Sequence, residues 1–77
     1  FNLKILKLNN NKIKLISKEI IQLKELHTLD LDCNKITTIP KEIGQLFKLK
    51  HLYLNLNKIE TIHDDVWKLC NLELLGL

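Results

Sequence analysis

The stretch Leu26–Lys48, "LHTLDLDCNKITTIPKEIGQLFK", is written twice more in this chain in altered form. Before it stands Leu3–Glu25, "LKILKLNNNKIKLISKEIIQLKE", and after it Leu49–Asn71, "LKHLYLNLNKIETIHDDVWKLCN". The triplet Asn-Lys-Ile marks the period, at Asn11, Asn34 and Asn57, 23 residues apart each time. Self-similarity at such an interval is the signature of a repeat architecture, and it outranks other local signals. The chain divides into full repeats at 3–25, 26–48 and 49–71. Phe1 and Asn2 match the end of a preceding unit, and 72–77 the start of a fourth.

Seven apolar columns run through the units. The first three are Leu3, Leu26, Leu49 and Leu72; Leu6, Leu29, Leu52 and Leu75; and Leu8, Leu31, Leu54 and Leu77. Then come Ile13, Ile36 and Ile59; Ile16, Ile39 and Ile62; Ile20, Ile43 and Val66; and Leu23, Leu46 and Leu69. The fourth and sixth positions of each unit alternate with polar ones, which predicts a short strand with one buried face. Later the apolar spacing widens to three and four, as from Ile43 to Leu46, which predicts a helical or 3₁₀ return. A strand and its return make one coil of a right-handed solenoid, with parallel strands about 4.8 Å apart.

Within the return, Pro40 suits the first helical position, where its missing N–H is not needed. Glu19, Glu42 and Asp65 stand where the positive end of the turn favours a carboxylate. Ser17 and His63 replace the proline in the outer units.

The resulting pattern, LxxLxLxxNxIxxIxxxIxxL, resembles the leucine-rich repeat family over the whole chain. The resemblance implies an α/β leucine-rich-repeat solenoid, a horseshoe with a parallel concave β-sheet and short helical or 3₁₀ convex segments. It also implies that Asn11, Asn34 and Asn57 form a structural ladder, each amide bonding its own loop and the adjacent repeat. The "IPKEIGQL" segment is similar to the 23-residue repeats of intracellular signalling scaffolds, plant immune receptors and bacterial repeat proteins. That favours a cytoplasmic protein, with a bacterial or secreted one left open.

Composition narrows the function classes. The 77 residues allow one small domain with a modest core. The net charge of +3 comes from lysines interspersed with acids, and arginine is absent. Nucleic-acid binders more often carry dense basic clusters with stacking aromatics, so nucleic acid is not an expected partner. Lys12, Lys35 and Lys58 stack at one-repeat spacing, within a Debye length of each other, and read as a solvated rim, with a patch that binds anions as the alternative. No apolar run is long enough to span a membrane. His27, Cys33 and His51 match no zinc spacing, no cofactor is expected, and the single serine, Ser17, lacks a nucleophile's context. A Cys33–Cys70 bridge would need Cα atoms within about 7 Å, which their positions in the unit disfavour.

Candidate binding residues lie on the outward face of the strands. One column reads Ile5, Thr28, His51 and Leu74; the next Lys7, Asp30, Tyr53 and Gly76; the third Asn9, Asp32 and Asn55. These vary between units while the core columns hold, as expected of a scaffold for recognition by an extended surface. The partner-binding set is Lys7, Thr28, Asp30, Asp32, His51, Tyr53 and Asn55. Tyr53 is the expected anchor, because an aromatic ring combines contact area with a polar tip. Asp30 and Asp32 would select a basic partner, unless Asp30 simply pairs with Lys7. Trp67 shares a column with Ile21 and Gly44 and is expected to cover a neighbouring turn, with a contact to another domain from the convex face as the alternative.

The expected function is recognition of another protein through the concave sheet, without catalysis, in a longer signalling or immune-type protein. The alternatives are a targeting module of a kinase, phosphatase, GTPase or ubiquitin ligase, or a bacterial secreted binding protein. Both ends break within a repeat without capping units, so the chain is expected to be an internal piece and to associate end to end.

Overall fold

A computed structural model of the chain describes residues 3–62 throughout and 74–76 as backbone. Its strands are β1 (Ile5–Lys7), β2 (Thr28–Asp30), β3 (Thr38–Ile39), β4 (His51–Tyr53), β5 (Thr61–Ile62) and β6 (Leu74–Gly76). Four of them form one parallel sheet in the order β1-β2-β4-β6. Its register follows the repeat: Leu6 lies opposite Leu29, Leu29 opposite Leu52, and Leu52 opposite Leu75. Alternation along each strand then decides what is buried. In β2 and β4 the central Leu29 and Leu52 are buried, while the residues flanking them are half-buried on the other face.

The chain leaves each strand through the same backbone device. Asn10, Cys33 and Leu56 occupy equivalent positions, and all three have left-handed backbone, with φ of 60°, 57° and 56°. Side chains other than glycine, asparagine and aspartate pay a steric penalty there. Asn10 fits that preference, but Cys33 and Leu56 do not, so the column gives no consistent sign in the sequence of the conformation it adopts.

Past that bend, Ile39 and Ile62 are brought one repeat apart, and β3 pairs with β5 in a small parallel sheet of its own. The sequence reading places no strand here. Two residues are too few for alternation to be visible, and the pairing depends on the neighbouring repeat.

The described returns are 3₁₀ helices, Lys18–Gln22 and Lys41–Gln45. At five residues each they are too short to gain from α-helical propagation. Pro40 is not their first helical residue, as the sequence suggests, but the N-cap before it, extended at φ −68° and ψ 149°. Ser17 is equivalent, at φ −65° and ψ 139°, and adds an Oγ that accepts from the Glu19 N–H at 3.2 Å. The two caps thus share one geometry, proline by its fixed φ and serine by a side-chain bond. Glu19 and Glu42 lie in the first turns, as expected.

The core lies between the large sheet and the returns. Leu26, Leu29, Ile36, Ile43, Leu46, Leu49 and Leu52 have no exposed surface. Each such side chain contributes about 1.5–3 kcal/mol relative to exposure. Of the equivalent residues of the first unit, Leu6, Ile13, Ile20 and Leu23 are only partly buried, and Leu3, placed in the first apolar column by the sequence, is exposed.

Candidate functional site

Three structural devices bring the outward-facing residues into position, and the first is the asparagine column. Asn34 is buried, and its Nδ2 donates to the carbonyls of Leu31 (2.9 Å), Asp32 (3.2 Å) and Leu8 (3.1 Å). Its Oδ1 accepts from the Ile13 N–H at 3.1 Å. Asn57 repeats the arrangement, donating to Leu54, Asn55 and Leu31 and accepting from Ile36 at 3.0 Å. One amide therefore closes its own bend and ties it to the preceding repeat. Asn11, exposed in the first unit, donates only within its own loop, to Leu8 (2.8 Å) and Asn9 (3.3 Å).

A second device is made by two aspartates. Asp30 Oδ1 accepts from the Asp32 N–H at 3.1 Å, and Asp32 Oδ1 accepts from the Asn55 N–H at 2.7 Å. Both carboxylates are thereby held in place by backbone donors. This structural duty was not visible in the sequence, where both residues read only as exposed charge. For Asp30 the available signal was an aspartate just ahead of the bend, able to close an Asx turn onto the N–H two residues on.

The third device is the strand register itself. It sets Thr28 opposite His51 and Asp30 opposite Tyr53 on adjacent strands. Thr28 Oγ1 lies 3.4 Å from His51 Nδ1. The His51 and Tyr53 rings stack along β4, with centroids 6.3 Å apart and planes 26° from parallel. Ile5 and Lys7 on β1 extend the same face, and both are exposed. Of the predicted set, Thr28, Asp30, His51 and Tyr53 form one contiguous patch. Lys7 adjoins it through Asp30, and Asp32 and Asn55 stand at its edge, joined to each other.

The expected alternative, an ion pair between Lys7 and Asp30, does not form. The salt bridge found among the described residues is instead between Lys48 Nζ and Glu25 Oε2, at 2.9 Å, between residues that are also one repeat apart. The Lys48 hydrogen bond and charge hold the Glu25 carboxyl below its ordinary pKa. This pair lies at the end of the return, away from the outward strand columns.

No group of three His, Cys, Asp or Glu side chains among the described residues could hold a metal ion. No helix among them is long and apolar enough to cross a membrane. Cys33 is a free, half-buried cysteine at its left-handed bend. Trp67, Cys70, His63 and Asp65 lie outside the described residues.

A cross-repeat asparagine ladder over a parallel sheet with 3₁₀ returns is joined by a sequence match. A family model described as a leucine-rich repeat region matches residues 1–77. The chain belongs to the leucine-rich repeat family. No curated protein matches it. Among solved structures, it is similar to the leucine-rich repeat protein LIC12759 of Leptospira interrogans, with a TM-score of 0.88 and 47% identity over 91% of this chain. The chain spans 18% of the length of that protein. Leucine-rich repeat domains are generally protein-binding modules without catalysis.

Proposed function

We propose that this leucine-rich repeat chain is a recognition module that binds a partner protein through the outward face of its four-stranded sheet. In this reading the stacked repeats form a right-handed solenoid, and that face is its concave side. The observation that carries the proposal is the patch of Thr28, Asp30, His51 and Tyr53, held in fixed register by backbone pairing. The side chains of this patch vary from strand to strand while the leucines behind them stay buried. A rigid sheet that presents different groups in adjacent rows suits recognition by shape and polarity.

The similarity to a Leptospira interrogans leucine-rich repeat protein supports a bacterial repeat protein over a plant receptor as the setting. A role as the targeting module of an enzyme would need a catalytic domain elsewhere in the protein. The test is site-specific photocrosslinking from position 53, with position 38 on the small sheet as comparison. Crosslinks to one protein from position 53, lost when Asp30 and His51 are both replaced by alanine, support the proposal. Equal crosslinking from position 38 overturns it.

A further inference from the structure

We propose that the patch centred on Tyr53 docks an arginine side chain from an extended segment of the partner protein. The guanidinium would lie on the Tyr53 ring and pair with Asp30. This inference rests on the sheet face being the binding surface, and it names the chemistry that the face takes.

The starting point is the ring pair. His51 and Tyr53, two residues apart on β4, lie with ring centroids 6.3 Å apart and planes within 26° of parallel, so the Tyr53 ring is held in a fixed orientation beside its neighbour. Register sets Asp30 on the adjacent strand directly opposite Tyr53, about 4.8 Å away at the backbone. A carboxylate beside an aromatic face suits a planar cation, which can stack on the ring while its edge donates to the acid.

Asp30 is ready for that role. Its Oδ1 is held by the Asp32 N–H, so the carboxylate is already oriented. Its second oxygen takes no bond among the described residues. Lys7, next to it in the same row, forms no ion pair with it; the salt bridge among the described residues joins Lys48 to Glu25. Preorganised acceptors cost less ordering entropy on binding than mobile ones.

Charge supplies the direction. The chain is net positive, at +3, yet the outward strand columns hold Asp30 and Asp32 against Lys7 alone. The face is thus locally acidic on a net-positive chain, which favours a cationic group there. Arginine fits better than lysine, because its planar fork both stacks and donates twice. A second copy of this chain cannot supply the group, since the sequence contains no arginine.

Tyr53 is the single tyrosine of the chain, so its ring NMR signals report on the site directly. The probes are three short peptides of alternating serine with arginine, lysine or glutamate, titrated into the 77-residue protein. The arginine peptide is expected to shift the Tyr53 ring signals to saturation and to bind about fivefold tighter than the lysine peptide. The glutamate peptide is expected to leave them unmoved. Asp30→Asn keeps an oxygen for the Asp32 N–H, so the loop holds, and it should weaken arginine-peptide binding about tenfold. Equal binding of the arginine and lysine peptides, unmoved Tyr53 signals, or full binding by Asp30→Asn would each overturn the inference. If the arginine peptide fails while crosslinking from position 53 persists, the arginine chemistry is discarded and the face remains the binding surface.

Discussion

The carboxylate of Asp32 accepts a 2.7 Å hydrogen bond from the backbone N–H of Asn55, one full repeat further along the chain. The bond fastens the bend of one unit to the bend of the next, beside the asparagine column. Asp32→Ala removes that acceptor and should destabilise the protein by about 1–2 kcal/mol. Asp32→Asn retains an oxygen at the same place and should recover most of the loss. Urea denaturation midpoints of the two variants check this; equal losses would mean that the oxygen is not what matters.

Asn34 and Asn11 hold equivalent positions but differ in what they carry. Asn34 is buried and makes four bonds, two of them to the preceding repeat. Asn34→Ala should cost about 1–3 kcal/mol, because buried backbone groups lose their partners. Asn11→Ala, exposed and bonded only within its loop, should cost clearly less. The same denaturation series decides it, and a larger loss at Asn11 would contradict the ladder.

Leu56 combines 78% exposure with a φ of 56°. A leucine there gains little from burial and bears the steric cost of left-handed backbone, about 1–2 kcal/mol. Leu56→Asn, matching Asn10 at the equivalent bend, should therefore stabilise the protein by about 0.5–1 kcal/mol. Leu52→Ala, at a position with no exposed surface, should instead cost about 2–5 kcal/mol. Thermal melting of both variants tests the contrast.

The Glu25–Lys48 pair makes a prediction about pH. The Glu25 carboxyl is lowered by the Lys48 hydrogen bond and charge. Its contribution is present at neutral pH and above the carboxyl's unfolded-state pKa, and it is lost as pH falls through the lowered folded-state value. Because both side chains are exposed, salt should weaken it. In Lys48→Met the Glu25 carboxyl should titrate at a higher pH, followed by carbon NMR of the side chain. An unchanged titration would show that the bridge does not form in solution.

Much of the fold was legible because repetition removes ambiguity. Leu29 alone, flanked by Thr28 and Asp30, could belong to many structures. Leu6, Leu29 and Leu52 at one interval, each between two non-core residues, specify strands in a common register. The returns were legible only as helical or 3₁₀, because the apolar spacing of a five-residue segment serves both. Pro40 was misplaced by one residue, since a fixed φ near −65° suits an N-cap as well as a first helical position. The face that carries Tyr53 could be read from alternation, but the state of its charged groups could not. Asp30 looked free to pair with Lys7, and the nearer backbone N–H of Asp32 takes one of its oxygens instead.

By itself the sequence determined the repeat length, the buried columns and the face on which variable residues gather. Those follow from periodicity along the chain, and a single unit already contains the pattern. Only the tertiary structure decided what happens between units: the Asp32–Asn55 bond, the Glu25–Lys48 bridge, the pairing of β3 with β5 and the stacking of His51 on Tyr53. Bonds between units join residues about 23 positions apart, and their formation depends on distances and orientations that arise once one repeat lies against the next. The stacked rings and the left-handed bends are local in sequence, yet they too are held by that packing, which overrides the preference of a residue such as Leu56.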